Sequence, residues 1–568
     1  MRMMQPVWSA TVGVFLWGAL VAQAAPAAKP AVKGGGEVEA ITGGNPAAKK
    51  GGVLTYEAYE PSSLNPISYK EAGAVEILEK WVFETLLADD VVSGEPIPLL
   101  AKSYEISADG LQFTFTLDER AKWFDGKPVT AEDVKFSFEV FAMEGANSPF
   151  RKAKMDDFTA VEIPSPGVIR FTAKERVFSN LEFLSSTLIL PKHLYYSKDP
   201  KKLEKNEYTK TPRGSGPYMV DRWDKGSQSL LVRNPKYWGS VLPQNRYAYN
   251  FDKIVIKYIR DPQIAFETLK KGDLDYMPVR IGNTSLWEQT KKADPFVKGQ
   301  IRAIAASSKV QQGYGFIGFN LKNDLFADKR VRKALAMAVD RDELIQKTLA
   351  GLAVIPRGPL YSLANADGKF KPVVFDSKAA SAELAALGWK DTDGDYILEK
   401  GNKKFSFTVI VPNARIEKEL LFVQSYWKKI GVQANIKILE YSTWQQLKSE
   451  RKFEALANGA NRSFFEGAVN PHGEWHSENA KPGLGNFTGY SVPEVDALID
   501  QGRQEMNFKT RKALFTKVND IVAEDYPIFQ YSESKYSLYC VNSRVVVPDH
   551  DGKPFYPYSF GEKYWFKK

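Results

Sequence analysis

At 568 residues the chain is several times a usual single-core size, so roughly two to four structural units are expected and a small disulfide-stapled scaffold is excluded. Its 43% hydrophobic and 13% aromatic content supplies real cores, and its mean hydropathy of −0.34 excludes a channel or permease built from spanning helices. The formal charge of +9, from 77 Lys+Arg against 68 Asp+Glu, is interleaved along the chain, which reads as a solvated surface rather than a nucleic-acid or lipid-headgroup face.

The N-terminus reads as an export signal. Arg2 precedes an apolar run from Val7 to Ala22, and Ala22-Gln23-Ala24 offers the small residues a signal peptidase needs, so cleavage after Ala24 and a periplasmic location are expected. No cysteine lies near this site to carry a lipid, and the single Cys540 has no partner for an intramolecular disulfide. Residues 25 to 51 hold Pro, Ala, Gly and Lys without apolar periodicity and read as a flexible leader, with order beginning near Gly52.

Beyond Gly52 short strands mix with amphipathic helices, and no fixed-period repeat is visible. Val53 to Tyr56 reads as a buried strand, Ala74 to Leu87 as a helix and Phe113 to Leu117 as an alternating strand. The turn Asp125-Gly126-Lys127-Pro128 follows, and Thr130 caps a helix with Glu132 and Asp133 in its first turn. Gly214-Ser215-Gly216-Pro217 is a tight loop feeding a strand at Tyr218, and the stretches 252–258 and 303–319 are strand-rich. Helices are expected over 329–349, 417–430, 493–505 and 510–524, and strands over 405–411, 432–438, 528–531 and 537–541. The class is mixed α and β.

The chain offers little material for catalysis. No Gly-x-Ser-x-Gly elbow and no Gly-x-x-x-x-Gly-Lys loop occurs, and one cysteine with four histidines suits neither thiol nor triad chemistry. Ser-x-x-Lys appears at Ser449–Lys452 and Ser532–Lys535 but lacks a Lys-Thr-Gly partner, so a secreted serine hydrolase is a remote alternative and no catalytic residue is assigned. His472 and His476 flank Glu474, with Glu478 after, but Pro471 and Gly473 break helix geometry, so no metal is assigned to them. Asp391-Thr392-Asp393-Gly394-Asp395 resembles the opening of a calcium loop. Tyr396 stands where the sharp turn needs Gly, and Asn402 where a bidentate Glu is required, which favours a polar hairpin turn. What stands out is aromatic and polar density in irregular stretches: Asn461, Arg462, Phe464, Phe465 and Glu466, then Glu474 and Trp475. Such groups suit a ligand cleft, because aromatics form rigid walls while Asn, Arg and Glu meet a ligand's polar backbone.

Three runs, 81–87, 98–104 and 122–134 (Lys122-Trp123-Phe124-Asp125-Gly126-Lys127-Pro128 at its start), closely resemble the family 5 extracellular solute-binding proteins. The resemblance continues through Gly214 to Tyr218, Asn234-Pro235-Lys236-Tyr237-Trp238-Gly239, Gly318-Phe319-Asn320, Arg330 to Leu335 and Pro527-Ile528, and so spans nearly all residues after Gly52. Leu242-Pro243-Gln244-Asn245, Tyr249 to Asp252, Arg260-Asp261 and Gly272-Asp273 look like the Yej-type branch, which imports oligopeptides and peptide antibiotics such as microcin C.

The resemblance implies a two-lobed periplasmic binding protein of type II (cluster C) with a small extra domain and a ligand cleft between lobes. Its implied division is a signal peptide over 1–24, a leader over 25–51, lobe I over 52–87, 209–310 and 526–568, a small domain II over 88–208 and lobe III over 311–525. It also implies the binding subunit of an ABC importer that captures oligopeptides by hinge closure and hands them to a permease/ATPase complex in the inner membrane. Such a subunit works as a monomer, without nucleic acid, cofactor or catalysis. Relatives on this scaffold bind nickel chelates, haem or oligosaccharides, so the same role with non-peptide cargo is the alternative. Oligopeptide binders of the family hold the ligand's amino terminus with an Asp; an ungapped match puts Ser463 there, which leaves Glu466, Glu474 or Arg462 to anchor the ligand. Tyr531, matched to a cleft tyrosine, and Tyr59 and Glu60 after the first strand are further candidates.

Overall fold

The computed structural model describes residues 32–34, 46–69, 71–89, 96–143, 149–197, 202, 206–279, 284–307, 313–360, 368–461, 470–547, 549–550, 553–554 and 565–567. The apolar run 7–22 and the cleavage site expected after Ala24 lie outside them. No helix of the described residues is long and apolar enough to cross a membrane.

Three sheets organise the chain. In the seven-stranded sheet the order is Ile301–Ser307, Tyr536–Asn542, Tyr276–Val279, Val53–Glu57, Lys253–Lys257, Gln228–Arg233 and Tyr218–Asp224. Val53–Glu57 lies at its centre and runs parallel to both neighbours. Leu54 and Tyr56 of this strand point into a core with Trp81, Tyr218 and Ile254, as the alternation of the sequence requires. The five-stranded sheet is antiparallel and takes Val32–Gly34, Ala101–Ile106, Gln112–Leu117, Val168–Ala173 and Phe158–Ser165. The six-stranded sheet runs Ala353–Val354, Ile528–Ser534, Gly313–Phe319, Ala455–Asn461, Ser406–Val411 and Gln433–Ile438. Its core gathers Phe319, Leu335, Phe407, Trp427 and Phe529.

Most expected elements form where the periodicity places them, with four differences. Val32–Gly34, inside the stretch 25–51 expected as a flexible leader, pairs with Ala101–Ile106 in the five-stranded sheet. The helix expected over 74–87 is Ala72–Ile77 followed by a π turn, Leu78–Val82, and the chain is already extended at Phe83. The single helix expected over 329–349 is two, Lys329–Met337 and Arg341–Leu349, because the Asp340 side chain caps the second by accepting from the Glu343 N–H at 2.8 Å. Ile528–Ser534 pairs with Gly313–Phe319 in the six-stranded sheet, so the chain rejoins the first sheet at Tyr536 rather than at 526.

The early exit from the first helix has a cause in Glu84. Its carboxylate is buried at the meeting point of the first two sheets, where it accepts from the Tyr237 hydroxyl at 2.6 Å and the Trp238 indole N–H at 2.7 Å. Burial pushes its pKa up to about 7, against the bonds from Tyr237 and Trp238. Gly214 and Gly216 cross the Val82 carbonyl so closely that a Cβ would lie 2.2 and 2.7 Å from its oxygen. The sequence runs that carry the family resemblance therefore meet here as scaffold. Asp133 serves the same end: it completes the capping box with Thr130 and takes hydrogen bonds from Trp123 Nε1 (3.3 Å) and the Lys192 N–H (2.8 Å).

The five-stranded unit also touches the six-stranded one. The Phe178 N–H donates to the Arg503 carbonyl at 2.9 Å, Arg176 Nε donates to the Gln504 carbonyl at 2.8 Å, and the Arg511 guanidinium lies 4.1 Å from the Phe178 ring centroid.

Candidate functional site

The register of the central parallel pair sets one wall of the site. Glu57 stands opposite Lys257, so both strands release their chains from the same edge, as Ala58 to Glu60 and as Tyr258 to Arg260. In sheets with parallel strands, ligands gather outside the carboxyl ends. The hairpin turn between Tyr218–Asp224 and Gln228–Arg233 reaches over to the same place: the Gly226 N–H donates to Glu60 Oε1 at 2.6 Å, and the Tyr258 N–H to the Ser227 carbonyl at 2.8 Å. Between them lies an open cavity of about 570 Å³, lined by Tyr59, Glu60, Lys225, Tyr258 and Arg260 among others.

The wall is polar and mixed in charge. Glu60 Oε2 is 3.6 Å from the Arg260 guanidinium, whose side chain is 92% exposed and therefore open to a partner from solvent. Lys225 rides 4.8 Å from the Trp223 ring. Tyr258 is buried, its hydroxyl 2.5 Å from Ser229 Oγ, and burial pushes its pKa up to about 12. Tyr59 presents its ring at the rim, 52% exposed.

Glu474 and Trp475 sit on the short helix His472–Trp475 of the six-stranded lobe. Trp475 is buried, meets Tyr490 edge-on at 6.0 Å, and its indole N–H has no acceptor among the described residues. An unmet buried donor is costly, which marks the indole as a group that gains from an added acceptor. Glu474 is exposed, yet the protein around its carboxyl desolvates it and raises its pKa, a rise that the nearby Lys448 ammonium opposes. Lys448 in turn lies 5.0 Å from the Phe487 ring, and desolvation lowers its pKa.

The expected residues thus fall into separate groups. Tyr59 and Glu60 share the cavity, and Glu474 and Trp475 share a helix. Tyr531 is buried in the core of the six-stranded lobe, against Gly315, with its hydroxyl unpartnered among the described residues. Asn461 ends the strand Ala455–Asn461 opposite Gly313. Arg462, Ser463, Phe464, Phe465 and Glu466 lie outside the described residues. Lys225, Tyr258 and Lys448 were not singled out from sequence, and Arg260 only as part of the branch resemblance; each belongs to a turn, strand end or helix with no motif of its own.

His472, His476 and Glu478 bring one possible ligand atom each within 4.8 Å of one another, with the two rings 4.7 Å apart. The His476 Nδ1 accepts the Glu478 N–H at 3.1 Å, so the neutral ring carries its proton on Nε2, which lies 3.5 Å from Asp500. His472 Nε2 lies 2.6 Å from Glu478, and desolvation, followed by the Arg503 charge, lowers its pKa. A metal-bound imidazole requires the opposite arrangement, with its second nitrogen donating.

The profile of the bacterial extracellular solute-binding proteins, family 5 middle, matches residues 95–481. The oligopeptide-binding protein AppA of Bacillus subtilis (strain 168) is 30% identical over 526 residues, which is 90% of each chain. The structure of AppA from Bacillus subtilis in complex with a nonapeptide superposes with a TM-score of 0.67 at 26% identity, over 92% of this chain and 100% of that one. NikZ from Campylobacter jejuni in complex with Ni(L-His) gives 0.68 at 25% identity, over 91% and 99%.

Proposed function

The chain belongs to the family 5 bacterial extracellular solute-binding proteins, and from that premise we propose that it is the peptide-capturing subunit of an ABC importer. The observation that carries this reading is the likeness to an oligopeptide-binding protein across nine-tenths of both chains. The cavity is chemically suited to it. There Glu60 offers a carboxylate to an ammonium, and Lys225 and Arg260 offer cations to a carboxylate; apart from the cavity, Glu474, Lys448 and the Trp475 indole offer a second carboxylate, a cation and a donor to a peptide carbonyl. Tyr59, Glu60, Asn461, Arg462, Phe464, Phe465, Glu466, Glu474, Trp475 and Tyr531 remain the residues assigned to ligand contact.

In this reading the N-terminal segment is cleaved after Ala24, and the mature chain works outside the inner membrane as a monomer. It hands unaltered cargo to a permease and carries out no catalysis. Lobe I comprises 52–87, 209–310 and the chain from Tyr536, domain II is 88–208, and lobe III holds the rest. The Yej-like segments extend the cargo to peptide antibiotics.

Native mass spectrometry of the protein purified from a periplasmic extract tests this directly. A heterogeneous set of co-purified peptides is expected. A single nickel-bound species would instead favour a chelate cargo, the reading that the likeness to NikZ with Ni(L-His) supports. Trp475→Ala and Arg462→Ala are expected to weaken peptide-induced thermal stabilisation without unfolding the protein.

A further inference from the structure

The connection after the helix Ser377–Ala386 carries a cluster that peptide capture does not use. Trp389 packs on Phe405 at 4.6 Å, and Lys390 and Glu399 exchange backbone hydrogen bonds of 2.9 and 3.0 Å, which closes the loop 391–398. Asp391, Asp393, Asp395 and Glu399 each bring a carboxylate oxygen within 4.8 Å of the others. The three aspartates are exposed, but Glu399 is only 8% exposed. Its Oε1 accepts from the Thr392 N–H at 2.6 Å and from the Thr392 hydroxyl. Its Oε2 is buried and has no hydrogen-bond partner among the described residues.

Among the described residues, one cation is bonded to this cluster. Lys404, paired opposite Glu399 in the short hairpin, places Nζ 3.0 Å from Asp393 and also bonds Asp395. Four carboxylates against one ammonium leave an excess of negative charge. A buried carboxylate oxygen with nothing to accept from is costly unless a further cation meets it. The two sequence features that spoke against a cation loop are resolved by the backbone. Tyr396 takes the left-handed conformation, φ 67°, with its ring 85% exposed, so the sharp turn is made without glycine. Glu399 reaches the cluster itself, so Asn402 need not supply the closing carboxylate.

We propose that Asp391, Asp393, Asp395 and Glu399 form a calcium site that fastens this loop to lobe III, independently of cargo. All four donors are hard oxygens on a polar loop open to solvent. That suits Ca²⁺, which accepts irregular oxygen sets, over Mg²⁺, which demands near-ideal octahedral geometry. With Lys404 competing, the affinity belongs to the range of extracellular modules, a dissociation constant of about 10⁻⁴–10⁻³ M.

Thermal unfolding and isothermal titration of the chelator-stripped full chain test the site. About 5 mM CaCl₂ is expected to raise the melting temperature by roughly 1–2 °C, and the same MgCl₂ by less. Glu399→Gln should abolish the shift, as should the double variant Asp393→Asn/Asp395→Asn, whose exposed positions leave folding intact. Lys404→Met should tighten calcium binding about fivefold by removing the competing charge. A wild-type chain that shows neither a shift nor binding heat with calcium overturns the proposal and leaves Lys404 as the resident cation. A shift of equal size in the double variant also overturns it, because calcium would then act elsewhere.

Discussion

The junction around Glu84 and the cavity around Glu60 are built from similar residues but held in opposite ways. At the junction a carboxylate is sealed between Tyr237 and Trp238, and two glycines press against the Val82 carbonyl. At the cavity a carboxylate braces one hairpin N–H and leans on an arginine that is almost wholly in water. The first arrangement tolerates one packing; the second leaves its cations and its aromatic rim available. The runs that carry the family resemblance lie at the intolerant junction, while the wall proposed to meet cargo is the looser one.

This contrast can be broken most sharply at Gly214. Gly214→Ala puts a methyl 2.2 Å from a backbone oxygen that has no flexible side chain to yield, so a loss of about 3 kcal/mol or more is expected in urea unfolding. A variant of wild-type stability would show that the junction gives way as easily as the cavity.

The next largest effect is a pH dependence. The folded Glu84 carboxyl has its pKa at about 7 against an ordinary 4.5, so below 4.5 both states are protonated and between the two values the folded chain holds a proton the unfolded chain has lost. The proton favours the folded state at the acid end of that window. The advantage fades as pH rises through 7, by roughly 3 kcal/mol in all. Measured at pH 5 and pH 8, the wild-type chain should lose stability relative to Glu84→Gln. A constant difference between the two proteins would place the buried carboxylate's charge in balance with its donors.

The smallest effect is expected at the cavity. Glu60→Gln removes an exposed pairing with Arg260 and should change stability by under about 1 kcal/mol, yet it should alter peptide-induced thermal stabilisation measurably. If stability falls as far as in the junction variants, Glu60 is a brace of the hairpin rather than a ligand group.

Sequence reasoning reached what local rules govern. The capping box of Thr130 and Asp133, the strand alternation at 53–56 and the proline-led helix at 493 follow from neighbours in the chain and form as expected. The break at Phe83 was not legible, because its cause is Glu84 meeting Tyr237 and Trp238 some 153 and 154 positions away. The cavity was half legible for the same reason. Tyr59 and Glu60 follow a recognisable strand, whereas Arg260 joins them through the register Glu57 to Lys257, and Gly226 through a bond spanning 166 positions. The loop at Asp391 was legible as a polar turn, but not that Tyr396 itself takes its left-handed position, because residue type favours glycine there.

Lys535 alone separates the strand that ends in the six-stranded sheet from the one that begins in the seven-stranded sheet. The strands on either side of the other crossing pair with these same two strands, Ser307 opposite Tyr536 and Tyr314 opposite Glu533. Strand ends held this close resist sliding of one sheet past the other and leave rotation about the line through them least constrained. A small rotation at this lysine is magnified by the length of each half, so in the proposed importer role the regions farthest from it would part first.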